Sequence, residues 1–141
     1  FADVCRMATS DWPEYLAQPE WEVSPTELDV LADKQMIEQV LLNLLQNSRL
    51  ALTQDKGRVD DGQIRLSAKL NARGRVTMDI ADNGPGIDAD IVDRIFVPFY
   101  TTRKEGSGVG LALSRQVMIA HGGNISYAPA PNGGAVLSLN F

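Results

Sequence analysis

Apolar residues recur along the chain with two different periods, and each period predicts one kind of element. Between residues 34 and 53 they return every three or four positions, which predicts a helix with one buried face. Asp33 precedes this segment and is expected to cap the helix through its side chain. Residues 108–120 predict a second helix, which His121 and the two glycines after it should end. The face of the first helix that is expected in the core consists of Ile37, Leu41, Leu44, Leu45, Ser48 and Leu52.

Strands are predicted where apolar and polar residues alternate. They are residues 21–24, 28–32, 63–70, 75–81, 124–128 and 135–141. The first two are expected to pair across a turn, and the third and fourth flank a turn at 71–74 that predicts a hairpin. Because helices and hairpins are segregated along the chain, we expect an α+β sandwich. Its helices should cover one face of a mixed, mostly antiparallel sheet.

Residues 88–107 are the weakly patterned part of the chain, with only a short helix predicted at 89–95. A stretch of this length in a compact domain is typical of a lid over a functional site or of a disordered segment. The chain of 141 residues is long enough for one domain with a single core, and we expect one domain over residues 1–141. Residues 1–27 give no clear structural signal, and the chain opens with Phe1 rather than Met, which suggests a piece of a longer protein.

Charge and cysteine content narrow the classes of function. The formal net charge of -5 argues against a general nucleic-acid-binding or anionic-membrane surface, although a small anionic ligand needs only two or three local positive groups. A single cysteine excludes a disulfide framework within the chain and a cysteine-based metal site. The longest apolar runs are too short to span a bilayer, so we expect no direct membrane contact by this domain. We expect a cytoplasmic location for it, in a parent protein that is either membrane-anchored or not.

Four motifs could carry chemistry, and each has a plainer alternative. Asn43 and Asn47 lie one helical turn apart and could offer amide oxygens to Mg²⁺, or could simply be solvated. The segment from Asp82 to Ile87 contains two glycines that let backbone approach a planar ligand, with Asp82 accepting from an exocyclic amine, but the same residues also suit a turn.

The other two motifs lie close together in the second half of the chain. Residues 106–110 hold glycines at alternate positions and open a helix, which suits an anion but also a flexible loop. Residues 96–104 combine aromatic residues and a proline with Arg103 and Lys104. The aromatic residues could anchor a lid, and the two basic side chains could reach phosphates or simply be solvated.

The order of the four motifs resembles that of the ATP-binding catalytic domain of sensor histidine kinases, in the wider gyrase, Hsp90, histidine kinase and MutL superfamily. Residues 39–47 match its N box, 82–87 its G1 box, 95–102 its F box and 106–113 its G2 box. The resemblance covers residues 33–141 and implies the two-layer Bergerat-type α/β sandwich with a mobile ATP lid at 88–107. It also implies ATP and Mg²⁺ as cofactors.

The resemblance assigns a role to individual residues. It implies that Asn47 binds the Mg²⁺ of bound ATP, that Asn43 supports the metal and the phosphates, and that Asp82 binds the adenine amine. Asn43 and Asn47 are therefore the expected catalytic residues. The ATP-contacting set that it implies is Asn43, Asn47, Asp82, Gly84, Gly86, Ile87, Arg103, Lys104, Gly106, Ser107, Gly108, Val109, Gly110 and Leu111. The chain departs from the commonest pattern mildly: Ser48 replaces Ala, and Leu50 and Ala51 stand where a basic or aromatic residue is frequent, which shifts phosphate contacts toward Arg103 and Lys104.

Three functions compete on this basis: a histidine kinase catalytic domain, a hydrolytic ATPase, and an ATP-binding sensor without catalysis. The hydrolytic branch of the superfamily has a glutamate one turn before the metal-binding Asn. Here that position is Asn43, whose amide cannot act as a general base, so the histidine kinase is favoured. A serine kinase of anti-sigma type is a further alternative.

The resemblance also implies partners. The γ-phosphoryl should pass to a histidine on a separate dimerisation and phosphotransfer domain of the same parent protein, then to a response regulator. His121, the single histidine, is expected to end a helix rather than to accept phosphate, so this chain alone should not phosphorylate itself. We expect a monomer for the isolated domain and a homodimer for the parent.

Overall fold

The structure, a computed structural model, describes residues 2–9, 12, 17–54, 61–101 and 108–141. Three helices and five strands make up the fold in the described residues. In chain order they are α1 (Ala2–Ala8), β1 (Glu20–Ser24), α2 (Lys34–Gln54), β2 (Ile64–Leu70), β3 (Val76–Asp82), α3 (Gly110–Ala120), β4 (Asn124–Pro129) and β5 (Ala135–Asn140).

The five strands form one sheet in the order β1-β2-β3-β5-β4. β1 runs parallel to β2, and the other three pairs are antiparallel. Leu66 lies opposite Ile80, and Ile80 lies opposite Leu137. Because side chains alternate between the two faces of a strand, this register places all three on one face, where they are buried. The mixed, mostly antiparallel sheet is as predicted.

The core lies between that face of the sheet and the helices. The predicted buried face of α2 is confirmed at every position, from Ile37 to Leu52, and Val40 also belongs to it. α3 contributes Met118, and α1 packs on α2 through the buried Val4. The opposite face of the sheet is polar: on it the Ser138 hydroxyl donates to Asp79 Oδ1 at 2.7 Å. The fold therefore has two layers.

The ends of α2 and α3 are fixed by specific hydrogen bonds. Asp33 Oδ1 accepts from the Met36 N–H at 3.0 Å, which confirms the predicted cap of α2. Gly122, at φ +72°, follows α3 and closes it with Gly122 N–H donating to Ile119 O and Gly123 N–H donating to Met118 O. His121 is a helix-end residue, as predicted.

Three local predictions are wrong. Residues 28–32 form no strand, and β1 pairs instead with β2, with α2 serving as the crossover that a parallel pair needs. The short helix expected at 89–95 is a 3₁₀ turn, Val92–Arg94. α3 begins at Gly110 rather than at 108, because Gly108 has φ +67°, which a right-handed helix cannot contain.

Candidate functional site

A cleft of about 620 Å³ lies between α2, the segment that follows β3, and the start of α3. It brings together most of the residues that the sequence singled out. The predicted residues that line it are Asn43, Asn47, Asp82, Gly86, Ile87, Gly108, Gly110 and Leu111. Val109 lines a neighbouring cavity, and Gly84 lies behind the cleft wall. Arg103, Lys104, Gly106 and Ser107 lie outside the described residues.

Other lining residues were not among the predicted site residues. They are Gln46, Ser48, Leu50, Ala51, Pro85, Asp88, Ile91, Ile95, Tyr100, Thr101, Ala135 and Leu137. Helical spacing could have placed Ala51, because it lies one turn after Asn47 on α2. The pairing of β3 with β5, which brings Ala135 and Leu137 to the cleft, could not be derived from the motifs.

Asp82 is the last residue of β3 and is held rigidly in the cleft wall. It is 8% exposed, and its Oδ1 accepts from the Gly84 N–H at 3.0 Å and from the Ala135 N–H at 3.3 Å. Two backbone donors from different segments therefore fix the orientation of the carboxylate. A carboxylate has about four acceptor sites, so these two hydrogen bonds do not use all of them.

Glycines allow two backbone segments, the one that follows β3 and the one that precedes β5, to meet around Asp82. A Cβ on Gly84 would lie 3.0 Å from Asp82 Oδ1, and a Cβ on Gly86, where φ is +77°, would lie 3.0 Å from Gly134 O. Gly134, with φ +100°, approaches closest: its Cβ would lie 2.8 Å from Asn83 Cα. Gly134 was not among the predicted site residues, and it supports the wall that holds Asp82.

The segment after Asp82 is tied to the far edge of the sheet. The Tyr127 hydroxyl, on β4, lies 3.3 Å from both the N–H and the carbonyl oxygen of Ile87. It can accept from the first and donate to the second. This tether joins residues 40 positions apart, and it fixes the wall on which Gly86 and Ile87 line the cleft.

At the other end of the cleft, α2 and α3 are joined by side chains. Asn43 Nδ2 donates to the buried Ser114 Oγ at 2.9 Å. Gly110 opens α3 directly against Asn43, and a Cβ there would lie 3.0 Å from Asn43 Cγ. Gly110 therefore serves close approach rather than an unusual backbone angle. The first turn of α3 has no side-chain cap, so its backbone N–H groups and the helix dipole favour an anion at this end.

The chain before α3 is closed by a backbone contact between Phe99 and Gly108. The Phe99 N–H donates to Gly108 O at 2.9 Å, and Gly108 is packed so closely that a Cβ would lie 2.6 Å from Phe99 C. Tyr100 and Thr101, just inside this closure, line the cleft. The Arg94 guanidinium carbon lies 5.1 Å from the centroid of the Tyr100 ring, within range of a cation–π interaction. The lid at 88–107 stays a prediction, and its described residues Tyr100 and Thr101 line the cleft.

The side chains around the cleft indicate which kind of metal ion it could bind. Among the described residues, no group of three or more His, Cys, Asp or Glu side chains is placed to hold a metal ion. Asn47 lines the cleft, and an amide oxygen is a hard ligand of the kind that Mg²⁺ accepts beside water and ligand phosphates. In the described part of the chain, no helix is long and apolar enough to cross a membrane.

Comparison with known proteins places this cleft in a family context. Residues 32–141 match the family described as histidine kinase-, DNA gyrase B- and HSP90-like ATPase. The C4-dicarboxylate transport sensor protein DctB of Rhizobium meliloti (strain 1021) is 38% identical over 112 residues, 79% of this chain and 17% of that protein. The signal transduction histidine-protein kinase AtoS of Escherichia coli (strain K12) is 36% identical over 126 residues, 89% of this chain and 19% of that protein. The chain thus spans less than a fifth of the length of these two relatives.

Solved structures show the same fold. Full-length ShkA in complex with AMPPNP has a TM-score of 0.81 and 28% identity, and the match covers 99% of this chain and 28% of that one. The nucleotide-free catalytic domain of the histidine kinase ThkA has a TM-score of 0.77 and 26% identity, covering 100% of this chain and 91% of that one. These likenesses confirm the predicted Bergerat-type sandwich.

Proposed function

The chain belongs to the family of histidine kinase-, DNA gyrase B- and HSP90-like ATPases, and from this premise we propose that it is the ATP-binding catalytic domain of a two-component sensor histidine kinase. The observation that carries the proposal is the cleft, which gathers Asn43, Asn47, Asp82 and the start of α3 around one space. ATP with Mg²⁺ is its proposed ligand. The bound analogue AMPPNP in ShkA supports this choice.

The two ends of the cleft suit the two ends of the nucleotide. Asn43 lies against Gly110 at the start of α3, and Ala51 lies beside Gly84 and Asp82, so that a Cβ on Gly84 would be 3.4 Å from Ala51 Cβ. Eight residues of helix separate Asn43 from Ala51, which is about 12 Å along α2. We therefore assign adenine to the Asp82 end and the phosphates to the α3 end.

Each end has donors and acceptors of the required kind. Asp82 accepts from the adenine amine, which distinguishes adenine from bases that carry an oxygen at that position. The uncapped first turn of α3 donates backbone N–H groups to the phosphates, with Val109 and Leu111 flanking Gly110. Asn47 supplies an amide oxygen to Mg²⁺, which when bound neutralises charge on the phosphates. Arg103, Lys104, Gly106 and Ser107 are proposed to complete this end.

The cleft favours phosphoryl transfer to another molecule over hydrolysis. Hydrolysis needs a general base near the γ-phosphate. The carboxylates that line the cleft in the described residues are Asp82 and Asp88, and both belong to the segment at the end of β3 rather than to α2 or α3. Asn43 cannot accept a proton, and its Nδ2 already donates to Ser114. The chain then positions the γ-phosphoryl group rather than activating water.

The acceptor is proposed to lie outside these 141 residues. His121, the one histidine in the sequence, is partly buried: its Nε2 accepts from the Asp33 N–H at 3.1 Å, and its Nδ1 lies 2.7 Å from Val117 O. Because the Asp33 N–H can only donate, Nε2 is the acceptor, and Nδ1 carries the proton and donates. Both ring nitrogens are therefore engaged, and neither is available as a nucleophile.

The proposed partners follow from that conclusion. The phosphoryl acceptor is the histidine of a dimerisation and phosphotransfer domain of the same parent, a homodimer, and a response regulator receives the group next. ThkA has been solved in complex with the response regulator protein TrrA, with a TM-score of 0.75 and 25% identity to this chain. We propose a cytoplasmic location for the domain.

Phosphotransfer with radiolabelled ATP tests the proposal. The chain is mixed with the histidine-bearing hairpin domain of its parent and with Mg²⁺, and the label on the hairpin is measured over time. We expect acid-labile label on the hairpin, and strongly reduced label with the Asp82→Asn and Asn47→Asp variants. Tight ATP binding without any label would support a non-catalytic sensor, and acid-stable label would support a serine kinase; either result would contradict the proposal.

A further inference from the structure

One side-chain hydrogen bond joins α2 to α3 at one end of the cleft. Asn43 Nδ2 donates to Ser114 Oγ at 2.9 Å, and the two residues are 71 positions apart. Ser114 is 3% exposed, and it lies one turn after Gly110 on α3. The motif comparison gave Ser114 no role, since it follows the last residue matched at 106–113.

This bond fixes which end of the Asn43 amide faces which neighbour. With Nδ2 directed to Ser114, the amide group packs against Gly110, where a Cβ would lie 3.0 Å from Asn43 Cγ and 3.1 Å from Nδ2, and would overlap Oδ1. The carbonyl end of the amide therefore faces the first residue of α3. The start of a helix presents N–H groups and partial positive charge, so the oxygen is the end that this neighbour favours.

We propose that Ser114 is a positioning residue for the phosphate end of the nucleotide. Its hydroxyl holds the Asn43 amide in one orientation and fixes the start of α3 against α2. The backbone N–H donors of the first helical turn are then in place before the phosphates arrive. The inference rests on the proposed function, because it assigns phosphates to this end of the cleft.

The consequence of removing the hydroxyl should depend on the ligand. Without Ser114 Oγ, Asn43 Nδ2 loses its partner in a partly buried site, and the side-chain link that holds the start of α3 against α2 is lost. The base end is not connected to this bond: Asp82 is held by Gly84 and Ala135. Loss of Ser114 should therefore weaken binding of the triphosphate and leave adenosine unaffected.

Calorimetric titration of Ser114→Ala and Ser114→Cys with Mg-ATP and with adenosine tests this. Cysteine keeps the shape of serine but is a weak hydrogen-bonding partner, so both variants should behave alike and remain informative if one of them folds poorly. We expect Mg-ATP to bind about fivefold more weakly to each, the effect of one neutral hydrogen bond, with adenosine affinity unchanged. Ser67→Ala, the same substitution on β2 away from the cleft, is the matched control and should leave both affinities unchanged.

A double-mutant comparison separates positioning from simple packing. If Ser114 acts through Asn43, then Asn43→Ala with Ser114→Ala should bind Mg-ATP as Asn43→Ala does alone. Three results would each overturn the inference. Ser114→Ala could weaken adenosine and Mg-ATP equally, Ser114→Cys could bind Mg-ATP as tightly as the wild type, or the losses in affinity could be additive in the double variant. Wild-type binding of both ligands is measured first, so a wild type that binds neither contradicts the proposed function itself, and with it this inference.

Discussion

For Gly110→Ala, the general preference of helices for alanine predicts a higher free energy of unfolding, whereas the tertiary contacts of Gly110 predict a lower one. Replacing a helical glycine by alanine normally stabilises a protein, by about 0.5 to 1 kcal/mol, because glycine loses more backbone entropy on folding. Gly110 opens α3 and does not have a positive φ, so its backbone accepts alanine. However, the three atoms nearest to the new Cβ all belong to the Asn43 amide.

The magnitude follows from what Asn43 must give up. Overlap with the new methyl group forces the amide off its position, at a cost of about 1 to 3 kcal/mol for overpacking. The hydrogen bond to Ser114 is lost as well, which costs about 1 kcal/mol. Against a gain of about 0.5 kcal/mol, Gly110→Ala should lower the free energy of unfolding by about 2 kcal/mol.

Removing the Asn43 amide should reverse the sign. In an Asn43→Ala background, the three nearest atoms are gone, and Gly110→Ala should then raise the free energy of unfolding by about 0.5 kcal/mol. Urea denaturation of the four proteins, followed by far-UV circular dichroism, measures both differences, since a domain of this size is expected to unfold in one cooperative transition. If Gly110→Ala had the same sign in both backgrounds, the packing of Gly110 on Asn43 would not be the reason for glycine at this position.

Three further predictions concern the wall that holds the base. Asp82→Asn should weaken ATP binding at least tenfold, because a hydrogen bond to a charged acceptor is lost. It should also reduce the preference for ATP over inosine triphosphate, which lacks the amine. Competition titrations measure both affinities. Gly134→Ala should lower the free energy of unfolding by about 3 kcal/mol, because its Cβ would meet the Asp82–Asn83 backbone. Gly74→Ala is the control: it also has a positive φ but nothing within 4 Å of the new Cβ, and it should cost about 1 kcal/mol. Equal losses would show that φ alone determines the cost. Tyr127→Phe should weaken ATP binding about threefold, with little loss in the thermal midpoint, because only the hydroxyl that binds the Ile87 backbone is removed. An unchanged affinity would mean that this tether does not shape the site.

The sequence by itself determined the elements whose signal is local. The apolar period between residues 34 and 53 identified α2 and its buried face, because a helix places every third or fourth residue on one side whatever it packs against. Asp33 was recognised as a cap for the same reason, since its partner is three residues away. The spacing of Asn43 and Asn47 and the turn residues after β3 left other roles open, and the order of the four motifs, through the family resemblance, named residues that line the cleft.

Only the tertiary structure decided how these parts meet. The pairing of β1 with β2, the contact of Ala135 with Asp82, the tether from Tyr127 to Ile87 and the bond from Asn43 to Ser114 each join residues that are 40 or more positions apart. Periodicity states which face of an element is buried but not which element covers it. A hydrogen bond between distant residues leaves no spacing that can be recognised along the chain, so the geometry of the cleft had to come from the fold.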